Sequence, residues 1–270
     1  MRQLLESTNS DMPGQILDHG QSRSNAVCGK VQHHFTSTSG ESYKGIPIYA
    51  EPGLHEAIFN AISVYLPPSK VLELGAGAGA FAMRLADHGY DVIASDLDSG
   101  RFHVDLPFRV ADLGLHFSNK FMDVSFDAVI AVEVIEHLEN PLHFLRETST
   151  LLNEGNSLWI SFPNIYLFTA IRDFIRKGAF VHWSPRQYWE TGHQTILTDW
   201  LFEAHCEKCG LAVKRKIFCN PLDFKRVYPT ITKRSVAKLM AFVASWLSPL
   251  PMEARLCESI LFEVTRKAID

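Results

Sequence analysis

Two stretches of the chain hold residues whose types and spacing could do chemistry. In the first, Gly75, Gly77 and Gly79 recur at every second position of E-L-G-A-G-A-G-A, which runs from Glu73 to Ala80. Alternate glycines let the backbone turn sharply and let a ligand lie on main-chain amides with no Cβ in the way. Asp96 follows Glu73 at close to the spacing, roughly 20 residues, at which a carboxylate can accept from two ribose hydroxyls. This is the pattern of a nucleotide-type cofactor site. In the second stretch Glu133, Glu136 and His137 stand at i, i+3 and i+4, so one helical turn would put two carboxylates and an imidazole on one face. Hard oxygens with one nitrogen suit a divalent cation such as Mg²⁺ or Mn²⁺. His137 without a metal could equally serve as base or orienting group, with Glu136 beside it.

The elements that must position these residues follow from periodicity and punctuation. Val71, Leu72 and Leu74 predict a short strand, and a helix begins near Ala80 with Phe81, Leu85 and Ala86 on one face. Gly89 ends that helix, and a second strand over 92–96 closes with Asp96. Upstream, Pro52 and Gly53 precede a helix whose Leu54, Ile58, Ala61, Ile62 and Tyr65 are spaced for one buried face. Only residues 97–107 separate the second strand from a third at 108–111. A parallel crossover normally needs a dozen residues or more, so the helix on that side is predicted to be short or missing. The continuous apolar run at 126–132 predicts a buried parallel strand. Asn140 and Pro141 cap a helix running to about Leu152, with Leu142, Leu145 and Leu151 inward. A fifth strand follows at 157–162, then a helix capped by Thr198 and closed by Gly210, a sixth strand at 211–219 and a last strand at 258–266.

The glycine loop alone also satisfies G-x-G-x-x-A through Gly75, Gly77 and Ala80, which would admit a nicotinamide dinucleotide. Glu73 argues against this, because a carboxylate at the mouth of the first strand repels a pyrophosphate and welcomes a cationic ligand. Together, E-L-G-A-G-A-G, the strand end at Asp96 and E-V-I-E-H-L-E-N-P over 133–141 resemble class I S-adenosylmethionine (SAM)-dependent methyltransferases, over roughly residues 71–164 with a weaker tail to Lys267. The resemblance implies an α/β, Rossmann-like, doubly wound sheet of seven strands, mostly parallel with an antiparallel last strand beside the fifth, and helices on both faces. It implies SAM held by Glu73, Gly75, Gly77, Gly79, Asp96, Leu97, Asp112 and Val132, with Glu73 at its cationic amino acid end and Asp112 at the adenine. The E-x-x-E-H pattern is similar to the metal-binding pattern of ubiquinone-pathway O-methyltransferases and of small-RNA 2′-O-methyltransferases. On that likeness Glu133, Glu136 and His137 would be metal ligands, with His193 of G-H-Q-T-I-L-T as a further one. Many relatives carry E-H without a metal, which leaves His137 and Glu136 to act on the acceptor directly.

Composition bounds the rest. A chain of 270 residues with 46% hydrophobic and 21% charged residues is a soluble globular protein of one or two domains. A net charge of −4 argues against a nucleic-acid binder. No apolar stretch suits a secretory signal or a membrane span, and five irregularly spaced cysteines suit reduced thiols, so a cytoplasmic location is expected. Residues 1–40 are polar and aperiodic and read as a mobile tail, His33 and His34 included; residues 41–267 form the methyltransferase domain. Ligands of open parallel sheets sit beyond the carboxyl ends of the strands. The insertion at 165–197 should therefore cover the acceptor, with Tyr166, Phe168, Phe174, Phe180, Trp183, Tyr188 and Trp189 mixed with Arg172, Arg176, Lys177 and Arg186. A second insertion at 221–256 carries an apolar helix behind basic residues. It could be a lid, a packed helix or, through 234–247, a peripheral membrane contact. The expected function is methyl transfer from SAM to an oxygen, or a nitrogen, of a small-molecule, lipid-linked or glycan acceptor. An RNA 2′-O-methyltransferase and a non-catalytic SAM-binding module are the alternatives.

Overall fold

The computed structural model describes residues 40–246 and 249–267. The polar stretch over 1–40 therefore lies, Gly40 apart, outside the described residues, as does Leu247. A short hairpin of β1 (Ser42–Tyr43) and β2 (Ile46–Pro47) leads into helix α1 (Leu54–Ser63), strand β3 (Lys70–Leu74), helix α2 (Ala80–Asp87) and strand β4 (Asp91–Asp96). Strands β5 (Phe108–Val110) and β6 (Ala128–Val132), helix α3 (Pro141–Leu151) and strand β7 (Ser157–Pro163) follow. Helices α4 (Phe168–Lys177), α5 (Pro185–Glu190) and α6 (Asp199–Lys208) then lead to β8 (Leu211–Pro221). Finally α7 (Phe224–Val227), α8 (Ile231–Trp246) and α9 (Met252–Leu256) precede β9 (Cys257–Arg266).

Seven strands form one sheet in the order β5-β4-β3-β6-β7-β9-β8. The pairs from β5 to β7 are parallel, and β9 inserts antiparallel between β7 and β8. This is the fold class read from the sequence. It exists because the central strands are apolar on both sides: Val71 and Ile130 face one helical layer with α1 and α2, while Leu72 and Val129 face the other with α3 and α6. Strand order reverses at β3, which places the ligand crevice between the loops after β3 and β6. The caps fall where the residue types demand. Asn140 Oδ1 accepts from His143 N at 3.0 Å, and Thr198 Oγ1 accepts from Leu201 N at 3.1 Å.

Three details differ from the sequence-based expectation or sharpen it. Tyr65 lies past the end of α1 and is exposed, its ring stacked near Trp159 at 6.2 Å, because the helix stops at Ser63 ahead of the paired prolines. Between β4 and β5 the helix is indeed lost, leaving a single 3₁₀ turn, Ser99–Arg101. The second insertion becomes three helices of which α8 begins at Ile231, earlier than the apolar periodicity alone suggests. Among the described residues no helix is long and apolar enough to cross a membrane.

The antiparallel strand is pinned by Phe262, fully buried with its ring 4.6 Å from Phe202 and 5.4 Å from Phe162. Phe262→Ala should lower stability by about 3–5 kcal/mol through the cavity it leaves. The check is a guanidinium titration in which the midpoint falls while the slope is unchanged.

Candidate active site

The carboxyl ends of β3, β4 and β6 open into a cleft of about 800 Å³. Its floor is the glycine loop. Gly75 N and Ala76 N donate to Ser95 O at 2.8 and 2.9 Å, which folds the loop back over the end of β4. Gly75 has φ 77°, and a Cβ there would meet Val134 Cγ2 at 2.5 Å, so glycine is required by both backbone and space. Asp96 is fixed by two main-chain donors, Gly77 N to Oδ2 at 2.7 Å and Leu97 N to Oδ1 at 2.6 Å. Asp112 Oδ1 accepts from Gly114 N at 3.0 Å. Glu73, Gly75, Gly77, Asp96, Leu97, Asp112 and Val132 all line the cleft. Gly79 does not; it lies behind the loop, where Phe102 and Val104 leave no room for a side chain. Of the two tyrosines ahead of α1, Tyr49 borders the cleft beside Gly77, whereas Tyr43 bonds Asp87 at 2.9 Å.

The other wall is built on the turn after β6. Glu133 adopts a left-handed φ of 53°, and the turn Ile135–His137 is a 3₁₀ helix that begins after it. The expected shared helical face therefore does not form. Glu133 is instead held by Ser161, whose Oγ donates to Oε1 at 2.9 Å and accepts from the Glu133 amide at 3.1 Å. Glu136 and His137 are joined by His193 from the insertion: single ligand atoms of these three residues all lie within 4.8 Å of one another. His137 Nε2 is 3.9 Å from Glu136 Oε1, and the two imidazole rings meet edge-on at 4.7 Å. The insertion is clamped in place by main-chain bonds. Gln194 N and Thr195 N both donate to Glu136 O at 3.0 Å, the Gln194 amide donates to His137 O, and Thr195 Oγ1 donates to Leu138 O at 2.5 Å.

Electrostatics set this group apart. Glu136 is 1% exposed, and neither carboxylate oxygen has a hydrogen-bond partner among the described residues. Burial, and then the Glu133 carboxylate, hold it well above the usual carboxylate range. Burial also raises Glu133, against the lowering effect of hydrogen bonds from Ser161 and Ser259. Burial, followed by His182, lowers His193 to about 4, so its imidazole is neutral at pH 7 with a lone pair to give. These three residues could hold a cation: an orphaned buried carboxylate, a neutral imidazole with an unpartnered Nδ1 among the described residues, and a second imidazole beside them. A further group, His116, His143 and Glu147, lies outside the residues that line the cleft. There Glu147 already accepts from His116 Nδ1, Ser118 N and Ser118 Oγ, which makes it an anchor for the loop after β5.

The aromatic and basic residues expected over the acceptor do not line the cleft. Phe174 stacks on Phe180 at 4.7 Å, Trp183 is buried and donates to Thr195 O, Tyr166 bonds Asp199, and Tyr188 and Trp189 face outward. The basic residues pair locally, Arg172 and Lys177 with Asp173 and Arg186 with Glu190. The insertion's inner surface is polar and neutral instead: His182, Gln187, Thr191, His193 and Gln194. Three wall residues, Glu51, His55 and His182, gave no signal in the sequence, because each stands alone with no partner at motif spacing. Among the described residues, none after Gln194 lines the cleft.

Glu73, 3% exposed with one oxygen unpartnered among the described residues, is pushed up from 4.5 to about 8 by burial and then by Asp96. For an acid raised on folding, the associated stabilisation is complete below the unfolded value and is lost as pH rises through the folded one. That window runs from 4.5 to about 8. Glu73→Gln removes the titration, so its stability relative to the parent should climb across the window, at up to about 1.4 kcal/mol per pH unit. Paired denaturant melts near each end of the window check this, and parallel pH profiles would count against it.

A family model described as "Methyltransferase domain" matches residues 53–214. A ubiquinone biosynthesis O-methyltransferase of Xanthomonas campestris pv. campestris is 33% identical over 117 residues, 38% of this chain and 47% of that one. Its counterpart in Ruegeria sp. is 28% identical over 165 residues, covering 58% and 66%. The chain thus spans about half the length of the first of these relatives. Among solved structures, a SAM-dependent methyltransferase from Archaeoglobus fulgidus superposes with a TM-score of 0.54 at 13% identity, over 78% of this chain and 91% of that one. The glycine loop, the Asp96 end of β4 and strands β3 to β7 all fall within the matched region, and the chain belongs to the class I SAM-dependent methyltransferase family.

Proposed function

We propose that the protein transfers the methyl group of SAM to an oxygen of a small-molecule, lipid-linked or glycan acceptor, with nitrogen as the alternative acceptor atom. The observation that carries this reading is the group Glu136, His137 and His193, buried beside the cofactor loop with an unsatisfied carboxylate and a neutral imidazole. SAM, when bound, supplies an electrophilic methyl group to an acceptor held in line with it. A divalent cation on Glu136, His137 and His193, when bound, supplies Lewis acidity toward the acceptor oxygen; Glu133, tied to Ser161, would stand outside that ligand set.

The chain's own residues divide the remaining work. Gly75 and Gly77 admit the cofactor, and Glu73 faces its cationic end. Asp96, held by two amides so that its other lone pairs face the cleft, receives the ribose. Leu97 and Asp112 stand on the adenine side. His137 takes or orients the acceptor proton. His182, Gln187, Thr191 and Gln194 form a neutral, hydrogen-bonding surface for the acceptor. Holding both partners in a near-attack geometry can account for roughly 7–11 kcal/mol of the barrier.

The charge on the walls favours a small acceptor over RNA. Apart from the buried acids Glu73, Glu133 and Glu136, whose shifts favour the neutral form, Glu51, Asp96, Asp112 and Glu139 line the cleft, and Arg101 is the one lysine or arginine among its described lining residues. A phosphate backbone would be repelled there. Similarity to ubiquinone biosynthesis O-methyltransferases supports oxygen as the acceptor atom.

The test is incubation with radiolabelled SAM and a deproteinised cell extract, with and without EDTA, followed by sorting of the label into small-molecule, lipid, glycan and RNA fractions. Label in the first three supports the proposal, and label in RNA overturns the acceptor class. Loss with EDTA and recovery with Mg²⁺ or Mn²⁺ supports the cation, whereas indifference to EDTA leaves His137 to act alone. Glu136→Gln and His193→Ala should each lower turnover by about 10²-fold or more. Calorimetric SAM affinity should stay within about twofold of the parent, because neither residue belongs to the cofactor half of the cleft.

A further inference from the structure

Helix α8 is packed inside out. Its buried residues are small, Ala237 and Ala241, set against Phe168 of α4. The large apolar residues point the other way: Val236 is 52% exposed, Leu239 62%, Met240 53% and Val243 45%. Positions 236, 239, 240 and 243 are spaced i, i+3, i+4 and i+7, so they form one continuous stripe turned away from the alanines. A soluble helix normally buries that stripe, and exposed apolar surface of this extent marks an interaction face.

The charge around the stripe identifies its partner. From Phe224 to Met252 the chain has no Asp or Glu but carries Lys225, Arg226, Lys233, Arg234 and Lys238. Arg226 is consumed by Glu51 and Glu258, and Arg234 turns back on the carbonyls of Tyr228 and Pro229. Lys233 and Lys238 are exposed; Lys233 stands beside the Met240 edge of the stripe, and Lys238 lies round the helix from Leu239 with its Nζ 5.8 Å from the centre of the Phe224 ring. A second copy of the same face would bring these lysines against each other, so self-association is opposed by charge. A surface that is apolar within and anionic at its rim satisfies both demands. We propose that α8 is an interfacial helix that seats the protein on an anionic phospholipid bilayer, with Val236, Leu239, Met240 and Val243 in the acyl boundary and Lys233 and Lys238 at the headgroups. The helix is held as part of the domain rather than as a free tail, through the Ala237–Ala241 seam and Arg226. Binding would therefore fix the orientation of the whole domain on the membrane.

The experiment is flotation of the intact chain with vesicles of phosphatidylcholine alone and of phosphatidylcholine with about one third phosphatidylglycerol. Bound fraction should be at least about tenfold greater on the anionic vesicles and should fall with added salt. Leu239→Asp with Val243→Asp should abolish flotation. Both side chains are exposed, so the fold should survive, as an unchanged thermal transition would show. Lys233→Glu with Lys238→Glu, which leaves the stripe intact, should remove the preference for anionic lipid. Failure to float on either vesicle, or flotation that neither double variant alters, overturns the proposal. So does a dimer in light scattering that Leu239→Asp with Val243→Asp dissociates, since the stripe would then be an interface between copies. Vesicle binding is read without SAM or acceptor, so its outcome is independent of the methyl-transfer reading.

Discussion

The structure depends on a crowd of carboxylates gathered where water is scarce. Glu73 and Glu136 are almost wholly buried, both sit beside a second acid, and both are shifted toward the protonated form. Removing a charged carboxylate from water without a partner is costly, and a protein holding several either protonates them or supplies a counter-charge. The chain supplies main-chain dipoles to one of them: Asp96 receives the amides of Gly77 and Leu97. Glu73 and Glu136 each keep at least one oxygen without a partner among the described residues. The two ends of the cleft are thus unsatisfied in the same sense, and a cationic ligand at either end would relieve a penalty already present in the fold.

The parallel sheet determines how that crowd is assembled. Glu73, Asp96 and Glu133 stand at or just beyond the carboxyl ends of β3, β4 and β6, where chains leaving a buried apolar layer first reach polar space. His193 comes from much further along the chain and is placed by the bonds of its neighbours, above all the two amides, Gln194 and Thr195, that converge on Glu136 O. Those bonds make the 135–137 turn and the insertion one hydrogen-bonded unit. A change in the insertion therefore acts on the position of Glu136 as well as on its own surface. The left-handed Glu133 is part of the same construction. A non-glycine residue at φ 53° carries strain of roughly 1–3 kcal/mol. Its geometry turns the carboxylate back to Ser161 and lets the chain enter the 3₁₀ turn with Glu136 facing inward.

The parts that could be read from sequence are those fixed by local rules. Continuous apolar runs, the alternate glycines and the caps at Asn140 and Thr198 each depend on a few neighbouring residues, and each element lies within a few positions of where its pattern put it. The missing helix between β4 and β5 was legible too, because it followed from chain length alone. What could not be read depends on contacts distant in sequence. The spacing of Glu133, Glu136 and His137 suggested one helical face, but a one-residue change of backbone conformation at Glu133 separated it from the others. The insertion's aromatics looked like a binding surface by composition, yet an aromatic ring is satisfied equally well by packing, and Phe174, Phe180 and Trp183 pack. His55, His182 and Glu51 enter the cleft only through tertiary folding.

The lost crossover helix has a consequence for the cofactor end of the cleft. A helix at that point would bury the edge strand and wall that side of the cleft; here Leu97 is 52% exposed and Leu115 64% exposed. The nearest substitute is the 3₁₀ turn ending at Arg101, whose guanidinium lies 5.1 Å from the centre of the Tyr49 ring. Tyr49 belongs to the segment ahead of α1 and borders Gly77. On this side the glycine loop thus meets other loops rather than a packed helix: Arg101 lies over Tyr49, His103 N donates to Ala78 O at 3.1 Å, and Phe102 and Val104 lie against Gly79. A cation over an aromatic face at a partly exposed site contributes about 0.5–1 kcal/mol. Main-chain bonds thus clamp Glu136 to the insertion on one side of the cleft, while on the side of the lost helix the wall is built from contacts between loops.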